Sequence, residues 1–533
     1  MYNNYTPLQQ RQLALQEYSN TQSTYLLVCA PARSTALRAT LTDQLHRKFR
    51  LVERLEGELT ASVDGVLLAA EDVELMSTAL MYFAKALQDG ADYAVCNAVF
   101  GFGGATALYQ SQPLQAQNRC AVVSRTLLER CRAAAHDPEN VPELLALAAQ
   151  LCTKPALIPQ ALLHYERSIC AEDAFSAHGK RAFIMSHVLD MTGAPIVLVS
   201  AVPVLRSMGY EVLVLGPSDG GSLHLFLDAG ASVITRSSCR NVSDAWGMAL
   251  CADFVIVNTV VMARAVRALS GTAVPVLWWL HDAFAGYPHI AHQIPTQLGE
   301  NVRVYSVGSH AANAMHAVRP EFEIRPLIYG LPDYAAENFV RTDLGYNRGR
   351  PLFATVGSFE RRKGHDIFCK AIRLLPPEVR EKASFLFVGQ AADKEMMDSV
   401  RTLTADYPEN VFYCKRLTRD EIKSLMEQCT GLVCASRDDP MPTFVTEGLI
   451  FGKPSIVSEH TGTAGLISEG RNGFVYHDDD PQQLAVLLEH AIEHPEELAS
   501  MRTECRKMYE QYYSKEAFEQ TLRAAVEDLT AKK

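Results

Sequence analysis

The sequence predicts an α/β protein with two doubly wound domains, preceded by a smaller α/β region. From Arg181 onward, short apolar runs alternate with amphipathic stretches, which is typical of β-α units around a largely parallel sheet. A polar stretch over residues 333–350 divides this pattern into two series and reads as a linker. At 533 residues the chain is too long for one hydrophobic core. We therefore expect two tandem domains that face a cleft.

In the N-terminal region we predict a polar tail over 1–20, an independent α/β domain over 21–160 and a linker over 161–178. Its expected strands are "TYLLVCAPA", "FRLVER", "DGVLLAA" and "ADYAVCN", and its expected helices are "TALRATLTDQL" and "LMSTALMYFAKALQ". Two further stretches, "VPELLALAAQLC" and "QALLHYERSI", are predicted to be helical and to join this region to the rest.

The two doubly wound domains are assigned to 179–340 and 341–533. The first is predicted from the apolar runs "RAFIMSH", "EVLVLG", "ASVIT", "DFVIVNT", "VPVLWWLHD" and "VRVYSVG". The second is predicted from "PLFATVGS", "SFLFVGQ", "NVFYCKR", "GLVCAS" and "KPSIVS". From Pro481 to Lys533 the pattern is helical without a strand candidate, and we expect this segment to pack across the domain junction.

Composition excludes several classes of protein. A net charge of −11 argues against a nucleic-acid groove, because phosphate binding needs a dense basic face. No apolar run approaches the roughly 20 residues of a membrane helix. The start of the chain lacks a basic segment followed by an apolar core, so we expect a cytoplasmic protein. The thirteen scattered cysteines, without a C-x-x-C pair, predict reduced, buried thiols.

The segment "SRDDPMPTFVTEG" places acids on both sides of a turn that follows an apolar strand. Asp438 and Asp439 lie in the loop, and Thr443 is expected to cap a helix that carries Glu447 on its second turn. Ligands of open α/β sheets bind at the carboxyl ends of strands, and carboxylates suit sugar hydroxyls. The alternative is that the two aspartates only cap the helix.

Two more loops follow strands of the second series. In "SFERRKGHD", Arg361, Arg362 and Lys363 crowd the start of a helix, where a bound anion such as a diphosphate would offset their repulsion from the helix dipole. In "SEHTGTAG", small residues allow backbone N–H groups to approach an oxygen-rich ligand. The alternatives are a solvated basic turn and an ordinary Gly-Thr turn.

The combination "VGSFERRKGHDIF", "SRDDPMPTFVTEGLIFGKPSIVSEHTG" and "EGRNGFVY" resembles glycosyltransferase family 4, over about residues 179–530. "MSHVLDMTGAPIVLV" is similar to that family's first strand and glycine loop. The resemblance implies a GT-B fold and retaining transfer from a nucleoside diphosphate sugar, without a metal or other cofactor. It implies a glycan or lipid-linked glycan as the acceptor.

The resemblance assigns roles in the second domain. Glu447 matches the acid that holds the donor ribose, and Asp439 matches the acid nearest the donor sugar. Lys363 matches the lysine that neutralises the departing diphosphate, with Arg362 as its partner. Thr443 is included among the donor-binding residues, as are the loop residues Gly462 and Thr463.

In the first domain, Gly193 matches the loop that grips the diphosphate region. His281 matches a histidine that faces the reacting sugar, although a histidine after an apolar strand is more often a core residue. The chain departs from the family pattern at three positions. The first acid is an aspartate, Ser358 replaces an arginine, and Pro442 removes a backbone donor.

"DGVLLAAEDVELMSTALMYFAKAL" resembles the metal-binding segment of family 2 glycosyltransferases, which have a GT-A fold. The sequence Ala70-Glu71-Asp72 lacks one aspartate of the required Asp-x-Asp pair. We interpret the region as a trimmed, non-catalytic module for docking or assembly. The alternative is an unrelated α/β domain.

The resulting hypothesis is a retaining glycosyltransferase in bacterial surface polysaccharide synthesis. Contact with the inner face of the membrane and with partner glycosyltransferases stays open. One rival is a non-catalytic GT-B subunit that binds a partner transferase, and another is a nucleotide-sugar epimerase of similar fold.

Overall fold

The structure, a computed structural model, describes residues 23–30, 34–41, 44, 46–70, 73–76, 78–101, 106–110, 120–165, 179–218, 220–236, 239–240 and 244–531. The chain forms two compact units, Met1–Val255 and Ile256–Lys533. This division falls inside a strand, at neither of the boundaries predicted near 160–178 and 340. The predicted domain limits therefore stay predictions.

The first unit is α/β throughout its described residues. Its strands are β1 (Leu26–Cys29), β2 (Phe49–Val52), β3 (Gly65–Ala69), β4 (Glu74–Leu75), β5 (Tyr93–Gly101), β6 (Thr106–Gln110), β7 (Cys120–Ser124), β8 (Pro155–Tyr165), β9 (Lys180–Met185), β10 (Tyr210–Gly216) and β11 (Ser232–Arg236). Its helices are α1 (Thr35–Leu41), α2 (Ala79–Gln88), α3 (Arg125–Ala134), α4 (Val141–Leu151), α5 (Gly193–Ser207), α6 (Leu223–Asp228) and α7 (Asp244–Gly247). All four strands predicted before residue 100 are present.

One predicted helix in this unit is wrong. The stretch "QALLHYERSI" was expected to be helical, but its described part, residues 160–165, belongs to β8, which pairs in parallel with β5. Ala, Leu and Gln favour helices weakly, and pairing with a distant strand overrides a preference of that size. Helix α4, predicted from "VPELLALAAQLC", is present and begins after Asn140, whose side chain accepts a hydrogen bond from the amide of Glu143.

The sheet of the first unit does not stop at the end of the N-terminal region. Strand β6 pairs antiparallel with β11, from Thr106↔Arg236 to Tyr109↔Val233. Strands β9, β10 and β11 pair in parallel with one another. Residues expected to form an independent domain therefore share a sheet with 180–236, because a backbone ladder joins them. Glu71 and Asp72 of the family 2-like segment lie outside the described residues.

The second unit begins within β12 (Phe254–Asn258) and continues with α8 (Ala263–Leu269), β13 (Val276–Leu280), β14 (Val302–Ser306), α9 (Ser309–His316) and β15 (Ile324–Pro326). Strands β13, β14 and β15 pair in parallel. Strand β13, "VLWWL", is fully buried, as expected for a strand of a parallel sheet covered on both faces. Strand β15 is short and was not predicted.

The rest of the second unit is a six-stranded parallel sheet with helices. Its strands are β16 (Leu352–Val356), β17 (Ser384–Val388), β18 (Val411–Cys414), β19 (Gly431–Cys434), β20 (Ser455–Ser458) and β21 (Gly473–Tyr476). Its helices are α10 (His365–Leu374), α11 (Pro377–Arg380), α12 (Lys394–Asp406), α13 (Arg419–Gln428) and α14 (Thr443–Ile450). The order β18-β17-β16-β19-β20-β21 is the doubly wound order 3-2-1-4-5-6.

The C-terminal segment is helical, as predicted. It comprises α15 (Pro481–Glu493), α16 (Pro495–Ser500), α17 (Arg502–Met508) and α18 (Lys515–Thr530). Helix α18 returns to the strands at the start of the second unit, where Phe518 stacks on Trp279 with ring centroids 5.8 Å apart. Arg325 of β15 forms an ion pair with Asp528 at 2.7 Å. The segment thus packs onto both halves of the second unit.

The polar stretch 333–350 forms neither helix nor strand and lies along helix α13. The amide of Thr342 donates to Ser424, and Lys423 forms an ion pair with Glu337 at 2.7 Å. The twelve cysteines that the structure describes are free thiols, and nine of them are buried.

Candidate functional site

The site lies where the strand order of the C-terminal sheet reverses. Strands β16 and β19 are neighbours there, although two strands and four helices separate them in sequence. In doubly wound sheets, ligands bind in the crevice at this switch point, outside the carboxyl ends of the strands. The loops that follow β16 and β19 carry the basic segment and the paired acids of the sequence analysis.

These two loops are in contact. The amide of Arg437 donates to the carbonyl of Arg362 at 2.8 Å. Gly364 has φ of 66°, and a Cβ there would lie 1.8 Å from the carbonyl oxygen of Ala435. Glycine is required by both the left-handed conformation and the close approach. It lets the turn Arg361–Lys363 pack against the loop after β19 that carries Asp438 and Asp439, called the acidic loop below.

Lys363 and Asp439 form an ion pair at the centre of the site. The Nζ–Oδ2 distance is 2.6 Å, and the side chains are 19% and 5% exposed. The backbone of Asp439 is fixed on both sides, since its amide donates to His460 and its carbonyl accepts from Gly462. The structure therefore brings together two residues that the sequence placed 76 positions apart.

Arg362 reaches the same loop by a different contact. Its guanidinium donates to the carbonyl oxygen of Asp438 at 3.0 Å and to Glu360 at 3.0 Å. Ser358, at the position where the family has an arginine, donates to Glu360 at 2.8 Å. Lys363 and Arg362 thus present two cations on one side of the acidic loop.

Asp438 points elsewhere and was not assigned a role from the sequence beyond helix capping. Its carboxylate accepts hydrogen bonds from the amides of Phe284 and Ala285, at 3.1 and 2.8 Å, and contacts His310 Nε2 at 2.7 Å. Burial raises the pKa of this carboxyl, but the hydrogen bonds from His310 and the two amides outweigh it and lower the pKa below its usual value. Asp438 therefore ties the loop after β13 and helix α9 to the acidic loop.

Glu447 lies on the second turn of α14, as predicted. Arg419 donates to its Oε1 at 2.8 Å, and the Arg419 guanidinium lies 4.0 Å from the centre of the Tyr334 ring. Burial raises the pKa of Glu447, while Arg419 opposes this shift. The sequence analysis missed Arg419 and Tyr334, because nothing in the local pattern links them to α14.

The prediction that Thr443 caps α14 is wrong. The N-cap residue is Pro442, and no side chain caps this helix. Thr443 is the first residue inside the helix and is exposed. Proline lacks a side-chain acceptor, so the backbone carbonyl of Pro442 is the group at the cap that accepts from the amide of Val445, at 3.1 Å.

The loop after β20 closes the site. The amide of Gly462 donates to the carbonyl of Asp439 at 2.9 Å, and a Cβ at Gly462 would lie 1.8 Å from the carbonyl oxygen of Pro440. Thr463 is buried, and its hydroxyl lies 3.2 Å from that of Thr461. Close approach of the two loops, which only glycine permits, explains Gly462.

His281 follows β13 and packs against Trp279, with ring centroids 4.6 Å apart. The next residue, Asp282, accepts hydrogen bonds from the amides of Val260, at 2.6 Å, and His281. Burial raises the pKa of Asp282 to about 6, and these two hydrogen bonds only partly offset the effect. Gly193 is the first residue of α5, which belongs to the first compact unit.

Several buried polar side chains without hydrogen-bond partners lie near the ends of β12 and β13. Among the residues that the structure describes, the side-chain amide of Asn258 and the hydroxyls of Thr259 and Tyr287 are buried without a hydrogen-bond partner. Thr259 also has φ of 67° and ψ of 163°, a region populated almost only by glycine. Such features cluster at functional sites.

Comparison with protein families decides the class of this chain. Residues 178–321 match the family model "Glycosyl-transferase family 4", and residues 337–508 match "Glycosyl transferases group 1". The chain belongs to these glycosyltransferase families. Both matched regions are glycosyltransferase domains, and the site described above lies within the group 1 region.

Individual relatives of this glycosyltransferase match over limited segments. Spore coat protein SA of Bacillus subtilis is 28% identical over 160 residues, which are 28% of this chain and 41% of the relative. An uncharacterized glycosyltransferase of Methanocaldococcus jannaschii is 26% identical over 197 residues, which are 36% of this chain and 53% of the relative. The chain thus spans about half, or less, of the length of these curated relatives.

Solved structures share the fold of this glycosyltransferase. Anabaena HepE in complex with UDP gives a TM-score of 0.53 at 17% identity, over 66% of this chain and 100% of that one. Sucrose-phosphate synthase from Thermosynechococcus elongatus gives 0.54 at 15% identity, over 66% and 100%. The predicted GT-B fold is confirmed. The comparisons give no support to a family 2 module in the N-terminal region.

Two further properties concern the described residues alone. None of the helices in that part of the chain is long and apolar enough to cross a membrane. No group of three or more His, Cys, Asp or Glu side chains in the same residues is arranged to hold a metal ion. The expectation that catalysis needs no metal stays a prediction.

Proposed function

We propose that this glycosyltransferase transfers a sugar, with retention of configuration, from a nucleoside diphosphate sugar to a glycan or lipid-linked glycan. The observation that carries the proposal is the pairing of Lys363 with Asp439, beside Arg362, at the switch point of the C-terminal sheet. A diphosphate needs cations in a partly buried position, and a sugar needs carboxylate acceptors next to them.

Lys363 and Arg362 would stabilise the charge that develops on the leaving diphosphate. Lys363 is only 19% exposed, so its charge acts in surroundings of lower polarity than water, and its partner Asp439 holds it in place. A diphosphate that displaces one contact of this ion pair leaves Asp439 free to accept from a hydroxyl of the donor sugar. The aspartate thus has both a positioning role and a binding role.

Glu447 would hold the donor ribose. Arg419 occupies its Oε1, so Oε2 is the oxygen that a ribose hydroxyl would meet. Thr443, at the first turn of α14, and the loop of Gly462 and Thr463 would contribute to the same pocket. Anabaena HepE has been solved with UDP and with UDP-glucose, which makes UDP-glucose the first donor to test.

In the proposed reaction the bond between the anomeric carbon and the diphosphate oxygen breaks, and the diphosphate keeps the electron pair. The acceptor oxygen bonds to the same face of the anomeric carbon, and its proton passes to the leaving phosphate. No side chain has to act as a base. His281 and Gly193 are proposed to contact the reacting sugar and the diphosphate region.

The biological setting is also part of the proposal. We place the enzyme in the cytoplasm, at the assembly of a bacterial surface polysaccharide. Contact with the inner membrane face would bring it to a lipid-linked acceptor, and its N-terminal region would dock partner transferases.

The test is nucleotide release from UDP-, GDP- and dTDP-sugars with a panel of glycan and lipid-linked acceptors. We expect release with one nucleotide class, strongly reduced in Lys363→Ala and Glu447→Ala. The matched control is Lys370→Ala, which removes a more exposed lysine from α10 whose contact with Asp366 is 3.5 Å long. The anomeric configuration of the product, read by NMR, tests retention.

Two results would contradict the proposal. Donor binding without turnover on any acceptor would favour the non-catalytic subunit, and conversion of the donor without an acceptor would favour an epimerase.

A further inference from the structure

A cavity distinct from the proposed donor site lies beside the loops of that site. It has a volume of about 390 Å³, within the usual range for small-molecule sites. Its walls come from the first residues of α9, the loop after β20, and β21 with its flanking segments. The polar side chains that matter here are Ser309, His310, Asn313, Glu459, Glu469 and His477.

The cavity adjoins the donor loops through direct contacts. His310, in its wall, is the residue that contacts Asp438. A Cβ at Gly308, just before α9, would lie 2.7 Å from Met441 and 3.4 Å from the carbonyl of Gly462. A ligand in this cavity would therefore lie next to the loops proposed to hold the donor.

The wall of the cavity offers free hydrogen-bonding groups. Among the described residues, no hydrogen bond occupies the hydroxyl of Ser309 or the carboxamide of Asn313. Glu469 uses Oε1 for the amide of Val475, at 2.8 Å. A mixture of donors and acceptors of this kind suits the hydroxyls of a sugar, which both donate and accept.

The charge of the wall selects against anions. Two carboxylates line it, and its lining in the described part of the chain contains no lysine or arginine. Glu459 is paired with His477 at 3.0 Å and also accepts from the amide of Asp478 at 2.7 Å, so the one cation that His477 can supply is already compensated. A phosphate or uronate would meet uncompensated negative charge from Glu469.

We infer that this cavity binds a hydroxyl-bearing sugar unit of the acceptor, either uncharged or carrying an amine. The inference rests on the proposed glycosyl transfer and adds the place and the charge class of the acceptor. Ala464 and Val475 give the cavity apolar surface for the C–H face of such a sugar.

The test uses saturation-transfer NMR on the full chain with methyl glycosides as probes. The probes are the glycosides of glucose, galactose, mannose, glucosamine and glucuronic acid. We expect transfer to the uncharged or amine-bearing glycosides and none to the glucuronide. Asn313→Ala should weaken binding about fivefold, the value of one lost neutral hydrogen bond.

Gly465→Ala is a second variant that acts by filling space. Its Cβ would lie 2.9 Å from the hydroxyl of Ser309, at the wall of the cavity, and the φ of Gly465 is not in the left-handed region. It should also weaken binding. The matched control is Thr402→Ala in the separate groove between α10 and α12, which should leave binding unchanged. Thermal unfolding verifies that each variant is folded.

The outcomes separate this inference from the proposed function. Binding of UDP, GDP and dTDP is measured on the same samples, with Lys363→Ala as its own control. Binding of one nucleotide with no glycoside bound, with the glucuronide bound best, or with glycoside binding unchanged in both cavity variants, would overturn the inference alone. Failure of the wild-type chain to bind any of the three nucleotides would instead contradict the proposed function on which the inference rests.

Discussion

Two regions of the second unit differ in whether their polar side chains have partners within the chain. At the ends of β16 and β19, Lys363 forms an ion pair with Asp439, and Arg362 donates to the carbonyl of Asp438. At the ends of β12 and β13, the side chains of Asn258 and Thr259 are buried without partners among the described residues. The first region is preorganised for a charged ligand. The second retains unmet hydrogen-bonding capacity and backbone strain, which only surrounding structure or a ligand can offset.

This difference predicts that substitutions in the first region lower both activity and the free energy of unfolding. In the second region, a substitution that relieves backbone strain should instead raise the free energy of unfolding. The largest expected effect is at Lys363. In Lys363→Ala, transfer should fall about a hundred- to a thousandfold, as when one preorganised electrostatic group is removed. Steady-state nucleotide release measures it.

The free energy of unfolding of the variants distinguishes a loss of catalysis from a loss of folding. Lys363→Ala leaves Asp439, 5% exposed, without its partner and should lower the free energy of unfolding by about 3 kcal/mol. The double variant Lys363→Met with Asp439→Asn should regain much of that stability and none of the activity. Recovered activity in the double variant would mean that Lys363 only supports the fold.

The next effect concerns Asp438, which joins the two regions. Asp438→Ala removes the acceptor for two backbone amides and His310, so we expect a loss of about 2 to 3 kcal/mol in denaturant unfolding and a raised KM. The control is Asp406→Ala, which breaks a more exposed ion pair with Arg373 and should cost less than about 1 kcal/mol. Equal losses in the two variants would refute the bridging role.

A smaller effect is the pH dependence from Asp282. Its folded pKa, about 6, lies above the ordinary 3.8, so the folded state prefers the protonated carboxyl. The resulting stabilisation is complete below about pH 4 and is lost as pH rises through about 6. Carboxyls with lowered pKa, such as Asp438 and Asp366, act in the opposite direction and below their ordinary value.

Asp282→Asn should therefore remove part of the fall in unfolding free energy between about pH 4 and 6, the range between the ordinary and the folded pKa of this carboxyl. Unfolding by denaturant at several pH values measures the slope. An unchanged slope would show that Asp282 does not titrate there. Asp343→Asn, at a loop carboxyl outside both regions that accepts from the amide of Gly345, is the control.

The smallest effect is relief of strain at Thr259. Thr259→Gly should stabilise the fold by about 1 kcal/mol, because glycine adopts this conformation freely and its greater unfolded-state entropy offsets only part of the gain. The backbone hydrogen bonds to Trp278 and Trp279 are kept. Destabilisation would indicate that the threonine hydroxyl has a partner, such as bound water, that matters to the site.

Much of the fold was predictable because its signals are local. Each buried parallel strand, such as "VLWWL" or "SFLFV", is a short apolar run between turns, and eleven such runs were assigned correctly from residue 180 onward. The strands missed in this part of the chain, β15 and β21, have only three and four residues, and β4, β6 and β7 were missed before it. "QALLHY" was misassigned because its local preference is helical and its partner β5 lies about 60 residues away.

The site was predictable in part. The loops, the two basic residues and both motif acids could be named, since a doubly wound sheet places ligands after its strands. Their partners could not. Asp438 meets amides 154 and 153 residues away, and Glu447 meets an arginine 28 residues away on another helix. Thr443 was misplaced because a cap depends on where the backbone turns, and Pro442 holds that position.

By itself the sequence determined the α/β class, the succession of strands and helices, and the loops that carry charge, because apolar periodicity and turn residues act over a few positions. Only the tertiary structure decided which charges meet, that Asp438 binds a loop from the other half of the second unit, and that a polar cavity opens beside it. Hydrogen bonds and ion pairs depend on distances of a few ångströms between residues remote in sequence, and only packing of the elements fixes those distances.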